Sequence, residues 1–133
     1  MDASARPLAT YPVHLGLGST TAFLPEFDGS PAWYERYVHD TEADGTEGRL
    51  VSLHTFTEPW TTWEMHPHGA ELVVCTSGTL VLIQQTDAGI RSVTLGAGDA
   101  VVNPPGVWHT ADVDVEATVL FVTAGVGTEN RAR

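Results

Sequence analysis

The middle of the chain holds five residues whose side chains can bind a metal ion: Glu64, His66, His68, Glu71 and His109. The first three are spaced two apart, so an extended strand would send their side chains from one face. Pro67 and Gly69 instead indicate that the strand ends near His66 and turns. Glu71 would then begin the next strand, close to Glu64 and His66 across a hairpin.

The chemistry of these side chains points to a transition metal. Imidazole and carboxylate ligands together suit one divalent first-row ion, such as Fe, Mn, Ni, Co or Zn. Two histidines with one or two carboxylates also resemble the facial arrangement of non-haem iron sites.

The segment around His109 resembles the second motif of the cupin superfamily, G-x5-P-x-G-x2-H-x3-N. Gly98, Pro104, Gly106 and His109 stand at the spacing of that motif, whereas its final asparagine position holds Val113.

The first cupin motif, G-x5-H-x-H-x3,4-E-x6-G, is matched in part. Glu71 and Gly78 fit its E-x6-G end, and His66 then takes the second histidine position and Glu64 the first. The other register, with His66 and His68 as the pair, leaves too few residues before Glu71. The leading glycine is absent in both registers.

The resemblance implies a ligand set and a charge. By it, Glu64, His66, Glu71 and His109 hold one metal ion. Apart from the resemblance, whichever of Glu64 and His68 the metal does not hold is a candidate catalytic residue that could move protons. Two carboxylates and two neutral histidines around a divalent ion sum to zero, whereas the usual three histidines and one glutamate leave one positive charge.

Short strands separated by turn signals must position these residues. Val, Leu, Ile and Thr are frequent in the segments 50–56, 61–66, 71–76, 79–85, 90–95, 99–103 and 117–123. Such a rhythm is typical of an antiparallel sandwich or barrel. With the resemblance it predicts an all-β fold, a small antiparallel β-barrel or jelly roll of cupin type, in one domain over 1–133.

The ends of the chain read differently from this body. Residues 1–12 are expected to form an N-terminal arm and residues 124–133 a polar C-terminal tail. A short helix is predicted between the arm and the strands, with Ser30 as N-cap, Pro31 in the first turn and an end near Asp40.

Composition excludes several classes of partner. The 133 residues include no Lys, six Arg and seventeen acidic residues, for a formal net charge of −11. Such a chain would repel phosphates, so neither nucleic acid nor an anionic membrane is an expected partner. Cys75 has no partner cysteine, and the N-terminus has no apolar segment of a signal peptide. We expect a cytoplasmic protein.

Cupins commonly pair through swapped N-terminal strands, so a homodimer is predicted, with residues 8–17 as the exchanged arm.

Other histidines and aromatic residues have simpler interpretations. His14, His39 and His54 are expected to be structural or exposed. Trp63 and Trp108 have the opposite parity to Glu64 and His109, which favours packing between the sheets, although they could also line a pocket for an apolar substrate.

Two function classes remain open from the residues. The first is a metal-dependent enzyme of dioxygenase, isomerase or decarboxylase type, acting on a small organic molecule through a metal that polarises the substrate or O2. The second is a cupin that binds a metal or small ligand for sensing, without catalysis. A metal-free barrel kept for assembly is disfavoured by the complete ligand set, and the scarcity of Arg disfavours a large phosphorylated substrate.

Overall fold

Two antiparallel sheets face each other in the computed structural model, which describes residues 4–133. In chain order the strands are β1 (Val13–Leu15), β2 (Thr21–Phe23), β3 (Arg49–Phe56), β4 (Thr62–Met65), β5 (Glu71–Gly78), β6 (Leu80–Thr86), β7 (Gly89–Leu95), β8 (Ala100–Asn103), β9 (Trp108–Asp112), β10 (Ala117–Thr123) and β11 (Glu129–Ala132). The order is β2-β1-β3-β10-β5-β8 in the six-stranded sheet and β11-β4-β9-β6-β7 in the five-stranded sheet. The predicted all-β jelly roll is confirmed.

The core lies between the sheets because alternate residues of each strand point inward. In β5 this alternation buries Glu71, Val73 and Cys75, and in β6 it buries Leu80, Leu82 and Gln84. The core consists of Val73, Cys75, Leu80, Leu82, Leu95, Ala111, Val113, Ala117, Val119 and Phe121. Both sheets contribute to it, so the apolar side chains hold the two layers together.

The helix predicted before the strands is present as α1 (Pro31–Asp40), between β2 and β3. The Trp33 backbone N–H donates to the Ser30 hydroxyl at 3.2 Å, so Ser30 is the N-cap and Pro31 occupies the first turn, as predicted. Trp33 is buried and donates its indole N–H to the Pro25 carbonyl at 3.1 Å, which anchors the helix. Within residues 4–133, none of the helices has the length and apolar character needed to span a membrane.

The segment before β1 folds back on its own chain. The backbone N–H of Leu24 donates to Pro12, and that of Phe27 to Thr10, each at 2.8 Å. The β1 strand then pairs with β3 on one side and β2 on the other. Of the expected N-terminal arm, residues 1–3 lie outside the described part of the chain.

The end of the chain differs from the expected polar tail. Residues Glu129–Ala132 form β11, which pairs antiparallel with β4. All four side chains are exposed, so β11 has no apolar alternation and is held by backbone hydrogen bonds. A prediction based on hydrophobic pattern therefore passes over this strand.

The expectation that Trp63 and Trp108 pack between the sheets is wrong. Glu64 and His109 face the interior, so alternation turns both tryptophans to the outer face. There the Arg131 guanidinium lies 5.6 Å from the Trp63 ring centroid and 4.3 Å from that of Trp108. These cation–π contacts cover the rings from outside.

Candidate metal centre

Strand pairing places the predicted ligands at one level of the sandwich. In the five-stranded sheet, Glu64 of β4 lies directly opposite His109 of β9. His66 follows the end of β4, and Glu71 opens β5 in the facing sheet. One ligand atom each from Glu64, His66 and His109 lie within 4.8 Å of one another. The fold thus brings together residues that are far apart in sequence.

Glu71 completes the cluster from the opposite sheet. Its Oε2 lies 3.2 Å from His66 Nε2, and its Oε1 lies 3.2 Å from His109 Nε2. Neither approach is aligned as a hydrogen bond, so both Nε2 atoms are buried without a hydrogen-bond partner among the described residues. Glu64 lies further out, with its Oε2 3.9 Å from His109 Nε2 and its side chain 32% exposed.

Hydrogen bonds fix the tautomer of both histidines. Thr128 Oγ1 donates to the Gly125 carbonyl at 2.8 Å, so it accepts from His66 Nδ1, also at 2.8 Å. His109 Nδ1 is 3.3 Å from the Val107 carbonyl, which can only accept. Each ring therefore carries its proton on Nδ1 and presents the Nε2 lone pair to the cluster, as metal-binding histidines do.

Polar residues that the sequence analysis did not select hold Glu71. Asn103 Nδ2 donates to Oε1 at 3.1 Å, and Thr123 Oγ1 donates to Oε2 at 2.6 Å. Gln84 Nε2 in turn donates to Asn103 Oδ1 at 2.8 Å. Gln84 and Asn103 are both buried. The available signal was parity, because Gln84 shares the inward face of β6 with Leu80 and Leu82.

Burial and charge shift the acidity of the cluster in different directions. Burial raises the pKa of Glu71, but His109 and His66 beside it outweigh that effect and hold it far below its usual value. Burial, and then the charge of Glu71, raise the pKa of Glu64. Burial lowers the pKa of His66, but Glu71 and Glu64 more than offset it, so the net shift is upward. Glu71 is therefore the more firmly ionised of the two carboxylates.

His68 is not brought into the cluster. Its side chain is exposed in the turn after β4 and lies beside Gly127. Close packing of Gly69 against Ala124, where an added Cβ would be 2.5 Å from the Ala124 Cβ, fixes this turn. The described contacts of the cluster do not include His68, so a catalytic role for this residue stays a prediction.

A cavity of about 1150 Å³ opens beside the cluster. Its wall includes Glu64, His66 and Glu71, and α1 covers one side with Tyr34, Tyr37 and Val38. The face of α1 that carries these three side chains thus borders the cavity. His54 of β3 also lines it, whereas His39 is exposed on α1.

The donor set fits a divalent transition metal. Two neutral imidazole nitrogens and two carboxylates converge, and the nitrogens are buried with no other hydrogen-bond partner in the described chain. Nitrogen and oxygen donors of this kind suit Fe, Mn, Co, Ni or Zn. Glu64 is the most exposed of the four and faces the cavity, where a small molecule would approach.

Comparison with known proteins places the chain in a family. The Cupin_2 family model, a cupin domain, matches residues 54–125, whereas no curated protein matches the chain. A cupin-2 domain containing protein from Shewanella frigidimarina is a similar solved structure, with 23% identity over 56% of this chain and 69% of that chain and a TM-score of 0.49. An oxalate oxidase is similar with 20% identity and a TM-score of 0.55, over 68% of this chain and 50% of that chain. These identities bear on the fold alone. The match to the Cupin_2 model covers more than half of the residues, and the chain therefore belongs to the Cupin_2 family.

Proposed function

We propose that the chain is a metal-dependent cupin enzyme that acts on a small organic molecule. The observation that carries the proposal is the convergence of the unpartnered Nε2 atoms of His66 and His109 with the carboxylates of Glu64 and Glu71. These four residues would hold one divalent ion of Fe, Mn, Ni, Co or Zn. The ion would supply Lewis-acid or redox chemistry toward an oxygen atom of the bound molecule or of O2.

The residues of the chain have separate tasks in this proposal. Glu71 stays ionised, since Asn103 and Thr123 donate to its two oxygens. Glu64 has a partly exposed carboxylate at the cavity, so it can accept or return a proton at the bound molecule when the ion does not hold it.

A binding or sensing cupin without catalysis is the second candidate. Of the two residues predicted to move protons, Glu64 lines the cavity, whereas His68 is exposed and is not among the lining residues. A centre with fewer groups to move protons is better suited to binding than to catalysis, which favours this candidate. Turnover of any small molecule supports the enzyme, whereas saturable binding without turnover supports the sensor. A homodimer and a cytoplasmic location stay predictions, and light scattering at two protein concentrations tests the former.

Metal content is the decisive experiment. Protein purified without a metal-affinity column should carry close to one equivalent of Fe, Mn, Ni, Co or Zn by elemental analysis. The His109→Ala and Glu64→Ala variants should lose it, whereas His39→Ala, an exposed histidine on α1, is the matched control. Absence of metal in the wild type, even after reconstitution, would overturn the proposal. Loss in His109→Ala but not in Glu64→Ala would remove Glu64 from the ligand set.

A further inference from the structure

One wall of the cavity is a continuous set of aromatic rings that ends beside the candidate metal-binding residues. We call Phe27, His54, Phe56, Trp60 and Phe121 the aromatic wall. Ring centroids are 5.2 Å apart for Phe27 and His54, 6.0 Å for His54 and Phe121, and 6.1 Å for Phe121 and Phe56. Trp60 continues the set at 5.5 Å from Phe56, and its ring lies 6.3 Å from His109. All five residues line the cavity.

The charge of the cavity is negative or neutral throughout. Among the described residues that line it, the charged side chains are Glu35, Glu64 and Glu71, and none is an arginine. The chain has no lysine that could approach from elsewhere. An anionic ligand would enter this space without a protein counter-charge and against the overall charge of −11. Carboxylates and phosphates are therefore poor ligands for the cavity.

A cationic ligand is also disfavoured once the centre is loaded. A divalent ion offsets the carboxylates of Glu64 and Glu71, and Glu35 is an exposed side chain on α1. The deep end of the cavity then has no net charge. His54 does not change this balance, because burial lowers the pKa of its imidazole.

We propose that the cavity takes an uncharged aromatic molecule that carries a hydroxyl or carbonyl oxygen, such as a phenol. The inference rests on the proposed function, since it places that oxygen at the cluster of Glu64, His66, Glu71 and His109. The ring of the ligand packs on the aromatic wall, in the cavity that Tyr34 and Val38 of α1 also line. Aromatic pairs in edge or offset contact contribute binding free energy beyond that of buried apolar area. The wall therefore favours an aromatic ring over a saturated group of equal size.

Four matched probes test the class of ligand. Isothermal titration of the Zn²⁺-loaded protein compares 2-naphthol with decahydro-2-naphthol, 2-naphthoate and (2-naphthylmethyl)trimethylammonium. We expect 2-naphthol to bind about tenfold more tightly than its saturated counterpart, given the usual strength of aromatic pairs. The anion should bind more weakly still. Equal binding of the saturated alcohol, or tighter binding of either charged probe, overturns the inference.

Variants of the wall locate the binding site. His54→Leu should reduce the preference for 2-naphthol over its saturated counterpart, whereas His54→Phe should retain it. Ile90→Ala, at an exposed residue of β7, is the control and should bind as the wild type does. An unchanged preference in His54→Leu would place the ligand elsewhere and contradict the inference.

If the proposed metal site is wrong, calorimetry will show that the protein does not bind Zn²⁺. This result is distinct from the result of the four probe titrations. The four probes are then titrated into the metal-free protein, where the aromatic preference and the exclusion of the anion are still read directly. Their absence there overturns the inference as well.

Discussion

The side-chain amide of Asn103 donates a 3.1 Å hydrogen bond to Oε1 of Glu71 from the position directly opposite it in the six-stranded sheet. Asn103 is itself oriented, because its oxygen accepts from Gln84 across the interior. The chain Gln84–Asn103–Glu71 therefore spans both sheets, and it fixes the carboxylate before any ion arrives. Preorganisation of this kind is what second-layer residues supply to metal ligands.

Removal of that donor should weaken metal binding without removing a ligand. Asn103→Leu keeps the approximate size of the side chain but leaves Oε1 of Glu71 without its amide donor. We expect Zn²⁺ affinity, measured by competition with a chromophoric chelator, to fall by about 10- to 100-fold. Thr94→Val, at an exposed residue of β7 that does not line the cavity, is the control. Equal affinity in the Asn103 variant and the wild type would show that the chain of amides does not position Glu71.

The Tm of the metal-free protein and the increase in Tm that Zn²⁺ causes should change with pH in opposite directions. The raised pKa of His66 means that the protonated ring stabilises the metal-free fold, fully below its unfolded pKa, and that this stability is lost as the pH rises through the folded value. Glu64 acts in the same direction at lower pH, because burial and then Glu71 raise its pKa.

A metal ion needs the neutral His66 ring, so protons compete with it. The increase in Tm on adding Zn²⁺ should therefore be larger at about pH 8 than at about pH 6, while the metal-free Tm changes in the opposite sense. Thermal scans of wild type and His66→Asn, with and without Zn²⁺, check this. A Zn²⁺ shift that grows as the pH falls would contradict it.

Gly78 should be far less replaceable than other glycines in the left-handed region. Its φ is +75°, and an added Cβ would lie 2.0 Å from the Glu116 carbonyl oxygen. Gly98 has φ +90°, but there an added Cβ meets no described atom within 4 Å. Gly98→Ala should cost about 1–2 kcal/mol from backbone strain alone. Gly78→Ala should cost about 3 kcal/mol or more, because the strand must also move away. Urea unfolding of the pair measures both, and equal costs would contradict the clash.

The attachment of α1 to the sheet should depend on one phenol. His14 Nε2 faces Asp44 Oδ2 at 2.6 Å, so the neutral ring accepts the Tyr37 hydroxyl at Nδ1 over 2.7 Å. Tyr37→Phe leaves that buried nitrogen without its donor and should cost about 1–2 kcal/mol of unfolding free energy. Tyr34→Phe, on the same helix and 42% exposed, is the control and should change stability little. Equal stability of the Tyr37 variant and the wild type would show that this network does not hold the helix.

The sequence patterns predicted the parts of the fold that carry an apolar period or a turn signal. The N-cap at Ser30, the strands from β3 to β8 and the strand β10 follow from such signals. The β9 strand was not predicted, although it contains His109, because its sequence WHTAD has no apolar alternation. Its three central residues are all buried, a pattern that only the two neighbouring strands impose.

The support around the ligands could not be predicted for the same reason. Thr128 and Asn103 are polar residues whose roles depend on contacts across long sequence separations, 62 residues to His66 and 32 to Glu71. Neither lies in a motif position that names a ligand. His68, by contrast, was included on spacing alone, and the turn that displaces it depends on the tertiary contact between Gly69 and Ala124.

The bond between His66 and Thr128 links the centre to the last strand of the chain. Thr128 immediately precedes β11, whose own register sets Asn130 opposite Glu64. Through this bond the order of His66 and the order of β11 are coupled, so an ion that fixes His66 also stabilises β11. The side chains of β11 are all exposed, so we expect hydrogen exchange of its backbone amides to slow when the centre binds an ion.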